Sequence, residues 1–153
     1  MRHIRTWIES GGHFVSQYHR PIDNWDKTQS APLRLQPGSP SIRWRVTDAA
    51  APVRMLQPDH PLLNSPNRIT NEDFDGWVKE RGLYFASEWD PAYVPLLAMS
   101  DTDEAPLEGG LLAARIGAGS HVHCALNLFY QMDHMVVGAF RLFTNMMTPS
   151  GKT

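Results

Sequence analysis

A helix signal, two consecutive glycines and a strand signal follow one another over residues 3–18, and this order constrains the fold more than any other feature. Three apolar residues of residues 3–10 fall at i, i+3 and i+4, one face of a short helix: Ile4, Trp7 and Ile8. Gly11 can adopt the left-handed conformation that ends a helix, and Gly12 lets the backbone turn at once. The stretch "HFVSQY" then has the composition of a buried strand. Helix, turn and strand form half of a βαβ unit, which predicts an α/β fold built on a parallel sheet.

The first strand of that βαβ unit would lie upstream of Met1. Without it, the strand at 13–18 or a neighbouring strand presents unpaired backbone groups along an apolar edge. We therefore expect the chain to be a homo-oligomer, to be poorly soluble, or to be one part of a longer protein whose upstream domain is its partner.

Composition excludes several classes of function. The 153 residues suit one domain, and a net charge of −2 with scattered arginines predicts neither a nucleic-acid partner nor an anionic membrane partner. The single cysteine, Cys124, cannot form an internal disulfide and suits a reducing compartment. The N-terminus lacks the apolar segment of a signal peptide. We expect a cytoplasmic protein.

Further along the chain, residues 20–41 contain several prolines and predict a long surface loop within the domain. "SIRWRVT" (41–47) alternates like a strand, and the prolines of 57–68 predict turns without a helix. The clearest helix signal is at 70–82, where Thr70 and Asp73 stand at capping-box positions.

The C-terminal part predicts a β-hairpin followed by a helix. Two strand signals within 109–128 are joined at Gly117-Ala118-Gly119. The helix at about 136–147 has four apolar residues on one predicted stripe: Val136, Phe140, Phe143 and Met147.

The exit of the strand at 13–18 is where α/β enzymes place a nucleophile, on a strained turn. Ser16, Tyr18 and His19 are the candidates here, but the flanking glycines of a G-x-S-x-G or G-x-C-x-G frame are absent. We expect polar residues at a strand end and no nucleophile.

His121 and His123 alternate along a predicted strand, so both imidazoles project to one face, a spacing that can chelate a metal such as zinc. Further ligands would come from elsewhere in the chain: His13, His19, Asp101 and Asp103. The competing interpretation is that both histidines lie on the exposed face of a hairpin. Asp101 and Asp103 would then belong to a solvated acidic turn. Cys124 alternates with His123 and is expected in the core.

Five stretches resemble a region of large bacterial proteins: "GGHFVSQYHRPIDNW", "HPLLNSPNRI", "DFDGWVKERGLYFASEWDPAY", "EGGLLAARIGAGSHVHCALNLFYQM" and "GAFRLFTNMM". These are the LmbE/PIG-L-type proteins, which resemble metal-dependent N-acetylglucosaminyl deacetylases, and the region follows their catalytic domain. The resemblance covers residues 3–147. It implies a partial flavodoxin-like, class I glutamine amidotransferase-like (ThuA-like) domain, comprising a sheet with flanking helices and the C-terminal hairpin and helix.

Neither the His-Pro-Asp-Asp zinc motif of the deacetylases nor the amidotransferase cysteine has a counterpart here. The resemblance therefore implies a non-catalytic accessory domain without a cofactor, which contacts carbohydrate, for example an amino sugar. Six residues would form the crevice: Tyr18, His19, Arg20, Asp23, Asn24 and Trp25. The alternative is a small metal-dependent hydrolase that uses His121 and His123 with zinc and carboxylates from 101–104. Whether the chain is an enzyme stays open between these hypotheses.

Overall fold

The structure is a computed structural model that describes residues 1–20 and 31–149. Four α-helices are present in these ranges: α1 (Arg2–Glu9), α2 (Pro61–Asn64), α3 (Leu128–Asp133) and α4 (Val137–Met147). Eight strands accompany them: β1 (His13–Gln17), β2 (Leu35–Pro37), β3 (Arg54–Met55), β4 (Ala86–Trp89), β5 (Tyr93–Pro95), β6 (Leu97–Ala98), β7 (Leu111–Ile116) and β8 (Gly119–Cys124). The predicted α/β class is confirmed.

Four strands form the main sheet in the order β1-β8-β7-β5. β1 runs parallel to β8, with Ser16 opposite His123, whereas β8 with β7 and β7 with β5 are antiparallel. The sheet is therefore mixed, and the predicted parallel sheet is present as one parallel pair. Two separate ladders, β2 with β4 and β3 with β6, lie outside it. Among the strands described, β1 pairs on one side only.

The main sheet separates two apolar clusters, because successive side chains of a strand point to opposite faces. Val122 and Cys124 of β8 join the larger cluster, together with the core residues of α2, α3 and α4. Leu112 and Ala114 of β7 face the smaller cluster, which contains Ile8 of α1.

The helix–glycine–strand prediction at the N-terminus is confirmed. α1 buries Ile8, Gly11 has φ of 115°, and β1 begins at His13. A Cβ atom on Gly12 would collide with the indole of Trp7, so glycine is needed there for close packing.

The predicted helix over 70–82 is wrong beyond its first turn. The capping box between Thr70 and Asp73 is present, but it starts only a 3-10 turn, Asn71–Phe74. Gly76 then has φ of 70° and Lys79 has φ of 68°, which are not helical. The side-chain amide of Gln131 hydrogen-bonds both N–H and C=O of Val78, so a tertiary contact satisfies groups that a helix would otherwise pair.

Two more local predictions are wrong. Residues 41–47 contain a 3-10 turn, Ser41–Arg43, and no strand, although Val46 makes an isolated bridge to Gly82. Within 57–68 the structure has the short helix α2, with Pro61 at its first position. Proline fits there because the N–H of a first helical residue has no partner within the helix.

The hairpin β7–β8 and the helix α4 are confirmed, but the predicted apolar stripe of α4 is rotated. Its buried face carries Ala139, Leu142 and Met146, whereas Phe140 and Met147 are exposed. Gly138 lies so close to the backbone of Asp73 that a Cβ would collide with it. The buried face of α4 therefore combines the small residues Gly138 and Ala139 with Leu142 and Met146, whereas Phe140 and Met147 turn outward.

Among the helices of the described ranges, none has the length and apolar content that crossing a membrane would require.

Candidate functional site

The residue that follows β1 has an unusual backbone conformation. Tyr18 has φ of 51°, a left-handed value that is uncommon for a residue with a Cβ and is found more often at functional sites. Its N–H donates to the carbonyl of Cys124 (3.3 Å) and its hydroxyl to that of Leu126 (3.0 Å). Burial, with the nearby Cys124 and Glu80, raises the pKa of the phenol. Tyr18 is therefore a neutral, fixed side chain at the position where a nucleophile would be expected.

Tyr18 is the base of a group of rings that we call the aromatic rim, formed by Tyr18, Tyr84 and Phe129. The ring of Tyr18 meets Tyr84 edge-on at 6.2 Å and Phe129 edge-on at 6.0 Å between centroids. Tyr84 also has a left-handed backbone, with φ of 60°. The ring of Phe129, at the start of α3, is 51% exposed. The rim thus presents an aromatic surface to solvent at the carboxyl end of β1.

Polar groups lie beside the rim. The ammonium group of Lys79 lies 4.9 Å from the ring centroid of Tyr130, the residue after Phe129. The carboxylate of Glu80 is buried and accepts a hydrogen bond of 2.8 Å from the side-chain amide of Asn127. After burial and Cys124, the carboxylate of Glu80 is a further contribution that raises the pKa of Tyr18.

Only half of the predicted crevice falls within the described residues. Tyr18 belongs to the aromatic rim and Arg20 is exposed, whereas His19 is buried and packs on His123, with ring centroids 4.4 Å apart. The other three predicted residues, Asp23, Asn24 and Trp25, lie outside the described residues, as does the part of the predicted loop from 21 to 30, whereas its later part contains the strand β2.

His121 and His123 share one face of β8, as predicted, but neither is on an exposed surface: both are 0% exposed. Ser16, from the adjacent β1, lies between them. Its Oγ is 2.8 Å from Nε2 of His121 and 3.0 Å from Nδ1 of His123. The hydroxyl of Tyr93 is 2.7 Å from Nδ1 of His121.

These contacts form a chain of hydrogen bonds whose direction can be assigned. Tyr93 is buried and the one side-chain partner of its hydroxyl among the described residues is Nδ1 of His121, so the hydroxyl donates to that nitrogen. His121 then carries its proton on Nε2 and donates to Ser16, and Ser16 donates to Nδ1 of His123. His123 therefore carries its proton on Nε2, which has no hydrogen-bond acceptor in the described part of the chain.

All three histidines of this face are neutral near pH 7. Burial, together with the neighbouring His19 and His13, lowers the pKa of His121 to about 3, and burial lowers the pKa of His19 to about 4. Burial and the same neighbours hold the pKa of His123 well below its usual value. Such imidazoles are weak bases, so the contact of Ser16 with them does not make an activated nucleophile.

Of the six predicted metal ligands, His19, His121 and His123 pack together, but the two carboxylates and His13 do not complete a metal site with them in the described residues. The carboxylate of Asp101 accepts hydrogen bonds from the backbone of Thr47 and Asp48, and Asp103 lies in an exposed turn. His13 bonds Ser120 and the carbonyl of Met146. Within residues 1–20 and 31–149, no group of three His, Cys, Asp or Glu side chains is arranged to hold a metal ion.

Sequence reasoning missed Tyr93, Tyr84 and Phe129. The alternation of β8 indicated that the two histidines share a face, but the parallel pairing that places Ser16 between them joins strands 107 residues apart. No local pattern marks that pairing.

Comparisons with known proteins add little to this geometry. No protein-family model matches the chain, and no curated protein matches it. Among solved structures it is similar to the exo-beta-1,4-mannosidase Op5Man5 from Opitutaceae bacterium strain TAV5, at 17% identity and a TM-score of 0.47. That likeness covers 99% of this chain and 23% of the mannosidase, so the chain spans less than a quarter of its length.

Proposed function

We propose that the chain is a non-catalytic accessory module that contacts carbohydrate through the aromatic rim. The observation that carries this proposal is the conformation of Tyr18, whose left-handed backbone and fixed hydroxyl support the exposed ring of Phe129. An aromatic ring offers an apolar face to the C–H groups of a sugar, and its cost in conformational entropy is small because few torsions must be fixed.

An amino sugar suits this surface better than a neutral one. A protonated amine is attracted to the face of an aromatic ring, and the buried carboxylate of Glu80 contributes to the raised pKa of Tyr18 in the rim. The positive charge of Lys79, whose ammonium group lies over the ring of Tyr130, opposes the binding of a protonated amine. The proposal therefore favours oligomers of glucosamine over uncharged β-1,4-glucans.

Titration followed by amide chemical shifts tests the proposal. Glucosamine oligomers should perturb the signals of Tyr18, Tyr84 and Phe129, and Phe129→Ala should weaken binding by about five- to ten-fold, the value of one aromatic contact. Phe140→Ala is the matched control, since Phe140 is an exposed phenylalanine on α4 outside the rim. Unchanged spectra at millimolar oligosaccharide, or equal loss in both variants, would contradict the proposal.

For the finer fold we propose part of an amidotransferase-like domain of the LmbE/PIG-L type, completed by an upstream domain or by a second copy. Its support is the parallel pair β1–β8 and the pairing of β1 on one side only among the described strands. Sedimentation of the isolated chain at micromolar concentration tests this. A stable monomer that unfolds cooperatively would count against it.

The metal-dependent hydrolase stays a prediction with less support, since both ring nitrogens of His121 already have protein partners. Metal analysis of protein purified without a histidine tag checks it. Stoichiometric zinc that is lost on changing His121 and His123 together would establish the alternative and overturn the accessory role.

A further inference from the structure

A second surface lies at the opposite end of the sheet from the aromatic rim. It is a cleft of about 410 Å³ between the amino-terminal end of β8 and the start of α2. Its floor is formed by three apolar side chains of the sheet: Val94, Ala113 and Val122. The volume falls within the range of pockets that bind small molecules on an apolar floor.

The polar groups of the cleft have assigned hydrogen-bonding roles. Nε2 of His13 is 2.7 Å from the carbonyl of Met146 and donates to it, and Nδ1 of the same ring is 2.7 Å from the hydroxyl of Ser120. Nδ1 of His60 accepts from the backbone N–H of Leu62 at 3.1 Å. A neutral His60 therefore carries its proton on Nε2, and burial favours that neutral form by lowering the pKa of His60. Among the described residues this N–H has no acceptor, and it is available to a ligand.

One charged side chain lines the cleft among the residues described, and it is basic. Arg115 on β7 is exposed and stands opposite Ser120 in the strand register. No ion pair links it to a carboxylate in the described residues. Asp59 and Asp90 are near in sequence to lining residues but do not themselves line the cleft.

From this juxtaposition we infer that the cleft binds a small organic carboxylate with an apolar ring or chain. The guanidinium of Arg115 and the Nε2–H of His60 supply donors for the carboxylate, and the floor of Val94, Ala113 and Val122 receives the apolar body. The site shares no residue with the aromatic rim and is independent of the proposed carbohydrate contact.

Benzoate and its neutral isostere benzamide are suitable probes, followed by amide chemical shifts up to about 10 mM, above the millimolar dissociation constant expected for so few contacts. Benzoate should shift the signals of Ala113, Ser120 and Val122 and bind more tightly than benzamide. Arg115→Gln should weaken benzoate binding by about five-fold and leave benzamide unchanged. Arg54→Gln, an exposed arginine outside the cleft, is the control and should have no effect.

A variant that fills the cleft tests whether benzoate binds there or on another surface. Ala92 lines the cleft, is exposed, and donates its N–H to Oδ1 of Asp90, so Ala92→Trp should fill the cleft without disturbing the core. Ala50 has the same turn, with its N–H donated to Oδ1 of Asp48, and Ala50→Trp is the matched control. Loss of benzoate binding in Ala92→Trp alone would support the inference. No shift with benzoate, equal affinity for benzamide, or full binding by Ala92→Trp would overturn it.

Discussion

On one face of β8, Val122 and Cys124 pack in the larger apolar cluster, whereas on the other face His121 and His123 lie in a chain of hydrogen bonds. Both faces exclude water, since all four residues are almost completely buried. The apolar face is stabilised by the apolar surface that it removes from water. This effect does not require contacts of a particular direction. The polar face depends on each donor meeting its acceptor, because an unpaired polar group there is costly. The comparison predicts that the two faces respond differently to substitution.

The largest effect is expected on the apolar face. Leu111→Ala removes a fully buried side chain of the larger cluster and should lower the free energy of unfolding by about 2–5 kcal/mol, through lost burial and the cavity that remains. Denaturant unfolding measures it. A loss below that for Ser16→Ala would show that the polar face contributes more than the core.

Ser16→Ala tests the polar face. It leaves the Nε2–H of His121 and the Nδ1 of His123 without partners, so we expect a loss of about 1–3 kcal/mol. Ser120→Ala is the control, because Ser120 is half-buried and bonds a single histidine, His13, on the other side of the sheet. Equal effects of the two variants would mean that the bridge between the histidines adds no stability.

Acid should lower the stability of the protein through the buried histidines of the polar face, whereas the apolar face has no histidine that titrates there. A histidine whose pKa is lower in the folded protein binds fewer protons there than in the unfolded chain, so stability falls as the pH falls. The loss should start near pH 6.5 and continue towards pH 4 for His19 and pH 3 for His121. Each histidine should contribute roughly 1.4 kcal/mol per pH unit within its window.

His121→Phe removes one of these titrations. Its stability at pH 7 should be lower, because Ser16 and Tyr93 lose a partner, but its dependence on pH should be shallower than that of the native protein. Unfolding curves at pH 7, 6 and 5 give the slopes. Equal slopes for both proteins would argue against a neutral, buried His121.

The alkylation rate of the Cys124 thiol measures opening of the apolar face without any substitution in that face. Burial raises the pKa of its thiol to about 12, so alkylation requires the core to open. At pH 8 we expect the native thiol to react roughly 1,000-fold more slowly than the unfolded chain. Ser16→Ala should leave this protection largely intact if the two faces open separately, and rapid labelling in that variant would show that they open together.

The parts of the fold that were predicted correctly depend on local patterns. Gly11 ended α1, Gly117 marked the hairpin, and alternation placed both histidines on one face. The helix predicted after Thr70 was wrong, because the backbone of Val78 pairs with Gln131, 53 residues away. The bridging role of Ser16 and the ring contacts of Tyr18 were likewise beyond local inference, since each partner comes from a distant part of the chain.

The parallel pairing of β1 with β8 affects how the chain can fold. Residues 13–17 are synthesised more than 100 residues before their partners at 120–124. During that interval the segment "HFVSQ" has no strand to pair with, and closing so long a loop is entropically costly. We expect folding of the main sheet to await synthesis of β8, and the β1 segment to be the part most open to chaperones until then.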